Sequence, residues 1–342
     1  MRSRAIRQTR RSAKGFTLVE LMVVMLLGLI VAGGASAIYL ASKQSLTETE
    51  QVAALSENGR FALQLIGNST RHIGFYGGAS PTDIRWDASL SAVVGDCSGD
   101  AAAYDTANSI FAVRANSATV LGCITDAVPG TDVLVIKGVD PSPLWDADPD
   151  DPDAERDGDI SFPPGTWSDQ QVYVIANSES GILMDGADTR PSVGQGAELA
   201  FGNAWPYQLQ IFYIRAGATP TLSRKVLAWD GVAGAMSVQT QDLVQGVENI
   251  RFIFGYDSSN NGRVDTLANL TEVTTANAWD QVISLQAFIL LRSDLADPNY
   301  DNAKTYQMGD LAVTPGDNVR RILLHSDMVM RNPRLVLSGG AF

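Results

Sequence analysis

The sequence predicts an α+β fold: a long N-terminal helix, membrane-spanning in its first half, packed on a mainly antiparallel β-rich domain with large loop insertions. Three observations predict it. Leu21 to Ala41 is an uncharged apolar run long enough to cross a bilayer as a helix. The segment that follows keeps helical spacing but becomes amphipathic. From about residue 80 onward the chain breaks into short β-like runs separated by Gly, Pro, Asp and Asn, with no obvious helices between them.

The apolar run is too long for an ordinary secretory signal, and Ala35-Ser36-Ala37 is the one competing cleavage site within it. Gly28, Gly33 and Gly34 are compatible with a membrane helix. In residues 42–73, Leu46, Val52, Leu55, Ala62, Leu65 and Ile66 form an apolar stripe, and Gly74, Gly77 and Gly78 supply the stop. A helix of some 50 residues is expected, whose outer half must lay its stripe on the rest of the chain.

The strand candidates are Ile110–Val113, Val133–Ile136, Gln171–Ala176, Gln208–Arg215, Val226–Trp229, Gly246–Tyr256, Val282–Arg292 and Arg321–Met330. Between them, Asp140 to Pro164 reads as an exposed acidic insertion that could divide two lobes, with calcium binding as the sharper alternative for its carboxylates. The domain expectation is a leader at 1–15, a membrane half-helix at 16–41, an amphipathic half with its glycine turn at 42–78, and a globular domain at 79–342.

Net charge is −13, and its placement is uneven. Arg2, Arg4, Arg7, Arg10, Arg11 and Lys14 are the only charges in the first fifteen residues; setting those six aside leaves 19 of the 25 bases against 38 acids. So acidic a body argues against nucleic acid as a partner. The basic leader argues for an N-terminus held on the cytoplasmic side of a membrane. Two cysteines, Cys97 and Cys123, suit one disulfide in an exported chain; two free thiols or half of a metal site are the alternatives. An enzyme reading finds no G-x-S-x-G, H-E-x-x-H or P-loop, and His72 and His325 are the only histidines.

The chemistry is concentrated at Gly15-Phe16-Thr17-Leu18-Val19-Glu20, which resembles the processing site of type IV prepilins and type II secretion pseudopilins. The resemblance implies a pilin-like fold, cleavage between Gly15 and Phe16 by a membrane prepilin peptidase, and N-methylation of Phe16. Independently of any family, a carboxylate near the start of a spanning helix is costly in hydrocarbon and needs a partner. A cut after Gly15 would create an amine that could neutralise Glu20 of a neighbouring subunit.

Ser56-Glu57-Asn58-Gly59-Arg60-Phe61-Ala62-Leu63 and Arg71-His72-Ile73-Gly74-Phe75-Tyr76-Gly77-Gly78 are similar to the PilW group of minor pilins. So are Gln210–Arg215, Leu243–Ile250, Tyr256-Asp257, Val282–Ser293 and Val329-Met330-Arg331-Asn332. This resemblance implies a non-enzymatic minor pilin with a Cys97–Cys123 bridge, initiating pilus assembly. Its partners would be other minor pilins, the major pilin, the inner-membrane assembly platform and inner-membrane lipid, with the globular domain periplasmic and later at the cell surface. A minor pseudopilin and a membrane-anchored calcium-dependent adhesin are the alternative functions. No cofactor is expected, with calcium the one alternative. It would lie at Asp257, Ser259, Asn261 and Asp265, spaced like the first nine positions of an EF-hand loop; the twelfth is Ala268, for which Glu272 is the substitute. The plainer reading of that loop is an Asn-Gly hairpin turn.

Overall fold

The computed structural model describes residues 15–330. The six leader bases and Arg331-Asn332 lie outside them. The chain forms two units, Met1–Ala53 and Ala54–Phe342. In chain order, α1 (Leu18–Thr70) is followed by β1 (Ile84–Trp86), β2 (Ile110–Arg114), β3 (Asp132–Val139), β4 (Val172–Ala176), β5 (Gly181–Asp185), β6 (Asn203–Arg215) and β7 (Thr221–Asp230). Then come β8 (Ala235–Gln245), β9 (Val247–Tyr256), β10 (Thr266–Asn269), α2 (Leu270–Ala276), β11 (Val282–Arg292), β12 (Tyr306–Met308), β13 (Leu311–Val313) and β14 (Arg321–Val329).

In the first unit, α1 carries an uncharged, apolar window that is long enough to cross a membrane and is nowhere buried. Its side chains need an apolar surrounding, which lipid supplies.

The second unit is built on two sheets. The larger has the order β1-β5-β4-β6-β3-β2, with β7 on β6 and β8 on β7. Strand β6 is long enough to fork it: β4 and β7 share one of its edges, while β3 takes the other. All neighbours are antiparallel except β1 on β5. The smaller sheet has the order β10-β9-β11-β14, and β12 and β13 form a separate ribbon. All eight residues of β3 are buried. That is why its sequence reads as one apolar run rather than an alternation: alternate residues face two different cores. Leu134 and Ile136 join the core shared with α1 and the smaller sheet, whereas Val133 and Val135 face the disulfide-bearing side.

The outer part of α1 enters that shared core through Leu55, Gly59, Ala62, Leu63, Ile66 and Thr70. The expected stripe is therefore shorter than its sequence pattern, since Leu46 and Val52 remain 60% and 44% exposed. Gly59 lets the helix approach closely. A Cβ there would lie 2.5 Å from Leu324 Cδ1 and 2.7 Å from Leu291 Cδ1. The helix ends at Thr70, and the chain crosses β3 through a bridge between Ile73 and Gly138. At Gly138 the His72 carbonyl oxygen sits 2.8 Å from where a Cβ would stand, so only glycine admits this crossing.

The segment 140–164 differs from the loose insertion its composition suggests. Leu144 and Ile160 are buried, and Leu144 exchanges backbone hydrogen bonds of 2.7 and 2.9 Å with Ala204 of β6. Asp146 accepts the backbone N–H groups of Asp157 and Gly158. Two apolar anchors thus hold the ends of the acidic stretch, and the segment falls inside the second unit.

The two sheets are joined by a buried charge. Asp132, at the start of β3, has no exposed surface. Its Oδ1 accepts from Arg114 Nε at 2.8 Å and Arg251 Nη1 at 3.0 Å, while Oδ2 accepts the Phe252 N–H at 3.0 Å. Removing one member of a buried ion pair leaves the other uncompensated. Asp132→Ala should cost about 3–5 kcal/mol in urea unfolding of the full chain in detergent, far more than the exposed pair Arg85–Glu198.

Candidate functional site

Gly15 and Phe16 are exposed and immediately precede α1. Thr17 stands at its N-cap, and Glu20 is three residues on. The Thr17 N–H and hydroxyl donate to Glu20 Oε2 at 3.0 and 3.1 Å, and the Glu20 N–H donates to Thr17 Oγ1 at 3.2 Å. This is a reciprocal capping box, which satisfies two of the N–H groups a helix start leaves orphaned. The signal is legible as Thr17-Leu18-Val19-Glu20 before an apolar run, yet sequence reasoning gave Glu20 only an intermolecular role. Both bonds to the carboxylate fall on Oε2, so among the described residues Oε1 is left open to a further donor.

Cys97 and Cys123 form a disulfide with a Cα–Cα distance of 4.7 Å. The turn beside it encloses Lys137 of β3, which is fully buried. Lys137 Nζ donates to the Asp100 and Asp105 carbonyl oxygens at 2.6 and 2.5 Å. Burial pushes its pKa down to about 8, against the upward pull of Asp105, Asp100 and Asp96. Nothing in the local sequence VLVIKGV marks this lysine except its place inside a strand that is otherwise apolar.

Asp257, Ser259, Asn261 and Asp265 are brought together in the nine-residue connection between antiparallel β9 and β10. The loop closes on its own donors. Asp257 Oδ1 accepts the N–H groups of Ser259 and Asn261 at 3.2 and 3.1 Å, and Oδ2 accepts the Gly262 N–H. Asp265 Oδ2 accepts the Ser259 N–H at 2.9 Å. Desolvation pulls the Asp257 carboxyl upward, but the N–H groups of Asn261, Gly262 and Ser259 outweigh it and hold it below the usual range. Glu272 does not complete the loop. It is committed to a capping box at the start of α2, where Oε2 accepts the Asn269 N–H at 2.8 Å. Ala268 is buried in β10, because the connection ends before the twelfth EF-hand position. Among the described residues no three His, Cys, Asp or Glu side chains gather as a metal-holding group.

His72 is exposed beyond the end of α1, and His325 stacks on Phe288 at 5.6 Å between ring centroids. Among the described residues neither is bonded to a nucleophile or a carboxylate.

Two outcomes test these assignments. Between pH 8 and about 10.4 the unfolded chain holds the Lys137 proton that the folded chain has released, so stability rises with pH across that window. Relative to Lys137→Met, the native chain should gain up to about 3 kcal/mol from pH 7.5 to 10, read from urea midpoints. Asp257→Ala should lower the melting temperature equally in calcium and in chelator, since the carboxylate serves the loop's own N–H groups. A chelator-sensitive native melting temperature would assign it to a cation instead.

Comparison with known proteins bears on both ends of the chain. Residues 211–332 match the family model described as Type IV Pilus-assembly protein W, which runs from within β6 past the end of β14. Residues 10–36 match the Prokaryotic N-terminal methylation motif, which contains the Gly15–Phe16 pair and Glu20. No curated protein and no solved structure gives a match. In these two stretches the chain is similar to the Type IV Pilus-assembly protein W family and to the N-terminal methylation motif.

Proposed function

We propose that this chain is a low-copy minor pilin that acts with other minor pilins in the initiating complex of a type IV pilus, after prepilin peptidase cuts between Gly15 and Phe16. The observation that carries the reading is a membrane-length helix opening on a Thr17–Glu20 box directly after Gly15-Phe16. A carboxylate at that depth is tolerated only with a partner. Its own cap occupies Oε2, and Oε1 is the acceptor for the Phe16 amine of an adjoining subunit. Burial of both charges in a helix bundle makes their pairing strong in a low dielectric.

The basic leader keeps the peptidase site at the cytoplasmic face, which places the acidic body in the periplasm. The body suits a structural role: its charged clusters are spent on internal pairing, as at Asp132 and at Arg321, which meets Glu248 and Asp317. A head this large is poorly suited to dense repetition along a thin filament, which favours an initiating or tip position.

Glutamine can close a capping box but carries no charge. Glu20→Gln should therefore retain the helix start and membrane level of the native chain, yet lose piliation as fully as Glu20→Ala. Normal surface pili in Glu20→Gln would remove the charge-pairing role. Mass analysis should find a methylated Phe16 terminus on the native chain and a full-length chain for Gly15→Leu. Normal pili with lost protein secretion on deletion would overturn the pilus assignment.

A further inference from the structure

We propose that the open edge of β14, together with a polar stripe on α1 beside it, takes up an extended acidic segment of a different protein as an added strand. Strand β14 ends the order β10-β9-β11-β14, and among the described residues no strand pairs with its outer edge. Its register with β11 runs unbroken from Ser284–Val329 to Arg292–Arg321, with no bulge. It contains neither proline nor lysine. Natural sheets usually blunt such edges with short strands, bulges, prolines or lysines, because a free row of N–H and C=O groups templates pairing. A long, straight, unguarded edge is therefore a docking surface of the strand-addition kind.

A groove of about 480 Å³ runs along this edge beside α1. Its helical wall presents Arg60, Gln64 and Asn68, spaced four residues apart on one face, and Arg71 follows directly after the end of α1. Arg60 and Arg71 are exposed and have no ion-pair partner among the described residues. The carboxylates of an incoming strand would find these cations at the two ends of the stripe. Asp327 also borders the groove, but it shares strand parity with His325, which stacks on Phe288, and Leu323, which packs by the β12–β13 ribbon. The opposite parity, with Leu324 and Met328, faces Gly59 and Gly67 of α1. Asp327 thus belongs to the far face of the sheet.

Charge selects the occupant. The chain's own residues 331–342 carry Arg331 and Arg334 and no acid, so they do not complement the stripe. A second copy offers its acidic stretch at Asp146–Asp159, but Pro149 and Pro152 there remove the N–H groups a ladder needs. An acidic, proline-free strand of another protein fits both the backbone edge and the arginines.

The test uses the full chain in detergent micelles and three labelled heptapeptides, followed by fluorescence anisotropy. One alternates glutamate and valine, one alternates lysine and valine, and one is the glutamate peptide with alternate amides N-methylated. The glutamate peptide should bind about tenfold more tightly than either of the others, and Arg60→Glu with Arg71→Glu should weaken it about tenfold, as expected for two exposed charge pairs whose sign is reversed. No binding of the glutamate peptide, or equal binding of its N-methylated form, would overturn the proposal. So would self-association of the native chain that the double variant abolishes, because the occupant would then be a second copy.

Discussion

Asp132 has no contact with solvent, and donors from β2 and β9 converge on it at the head of β3. Burying a carboxylate is tolerable only when its oxygens are met, and here they are met by residues from two sheets. The same contact fixes how those sheets lie against each other. Arg114 is in register with Asp132 across the β2–β3 pair, and Arg251 reaches it from β9. With the sheets so joined, one core forms between Leu134, Ile136 and Phe212 on one side and Ile250, Phe252 and Leu285 on the other. The outer part of α1 closes that core. Gly59 can approach Leu291 and Leu324 only because β11 and β14 are already in place. A loosened Asp132 would therefore weaken the seat of α1 as well as the contact between sheets.

The parts of this fold that are legible in the sequence are those where one periodicity dominates. β9, β11 and β14 are long, apolar and bounded by turn residues, and the predicted ranges fall within a residue or two of the observed ones. The strands missing from the prediction are of two kinds. β1, β5, β10, β12 and β13 have three to five residues, too few to establish any period. β8 has eleven, but its MSVQTQDLVQ run is polar in the middle because that part of the edge faces water. α2 has seven residues and is marked chiefly by its capping box. Leu46 and Val52 follow the helical stripe but remain exposed, and periodicity alone does not mark where burial stops.

The candidate site divides the same way. The leader and its glycine are strongly patterned, and the N-terminal family match, over residues 10–36, takes in the end of that leader and Gly15. Lys137 is invisible in sequence, because its role depends on carbonyl groups brought over β3 by the turn next to Cys97. The Asp257 loop has two readings in sequence, a turn and a cation loop. Its oxygen spacing is that of a cation loop, and in the structure the Asp257 oxygens accept backbone N–H groups. Spacing of acceptors does not distinguish a metal from a set of amides, since both present positive charge to a carboxylate.

Thr17 and Glu20 both lie downstream of the Gly15–Phe16 bond, so a cut there would discard the leader and keep the helix cap. The consequence is electrostatic. The proposed mature chain begins one residue before its N-cap, placing a cationic amine at the positive end of the helix dipole, where it is unfavourable. Glu20 in the first turn offsets that dipole from within the chain, and its Oε2 is spent doing so. The amine itself is not neutralised by the cap, which bonds the Thr17 N–H rather than the terminus. On the proposed cleavage a single subunit in lipid would carry an unmet cation, for which Oε1 of a neighbouring Glu20 would be an acceptor of the right charge at the right depth. The cap organises the carboxylate inside one chain, and the unmet amine supplies the reason to find another.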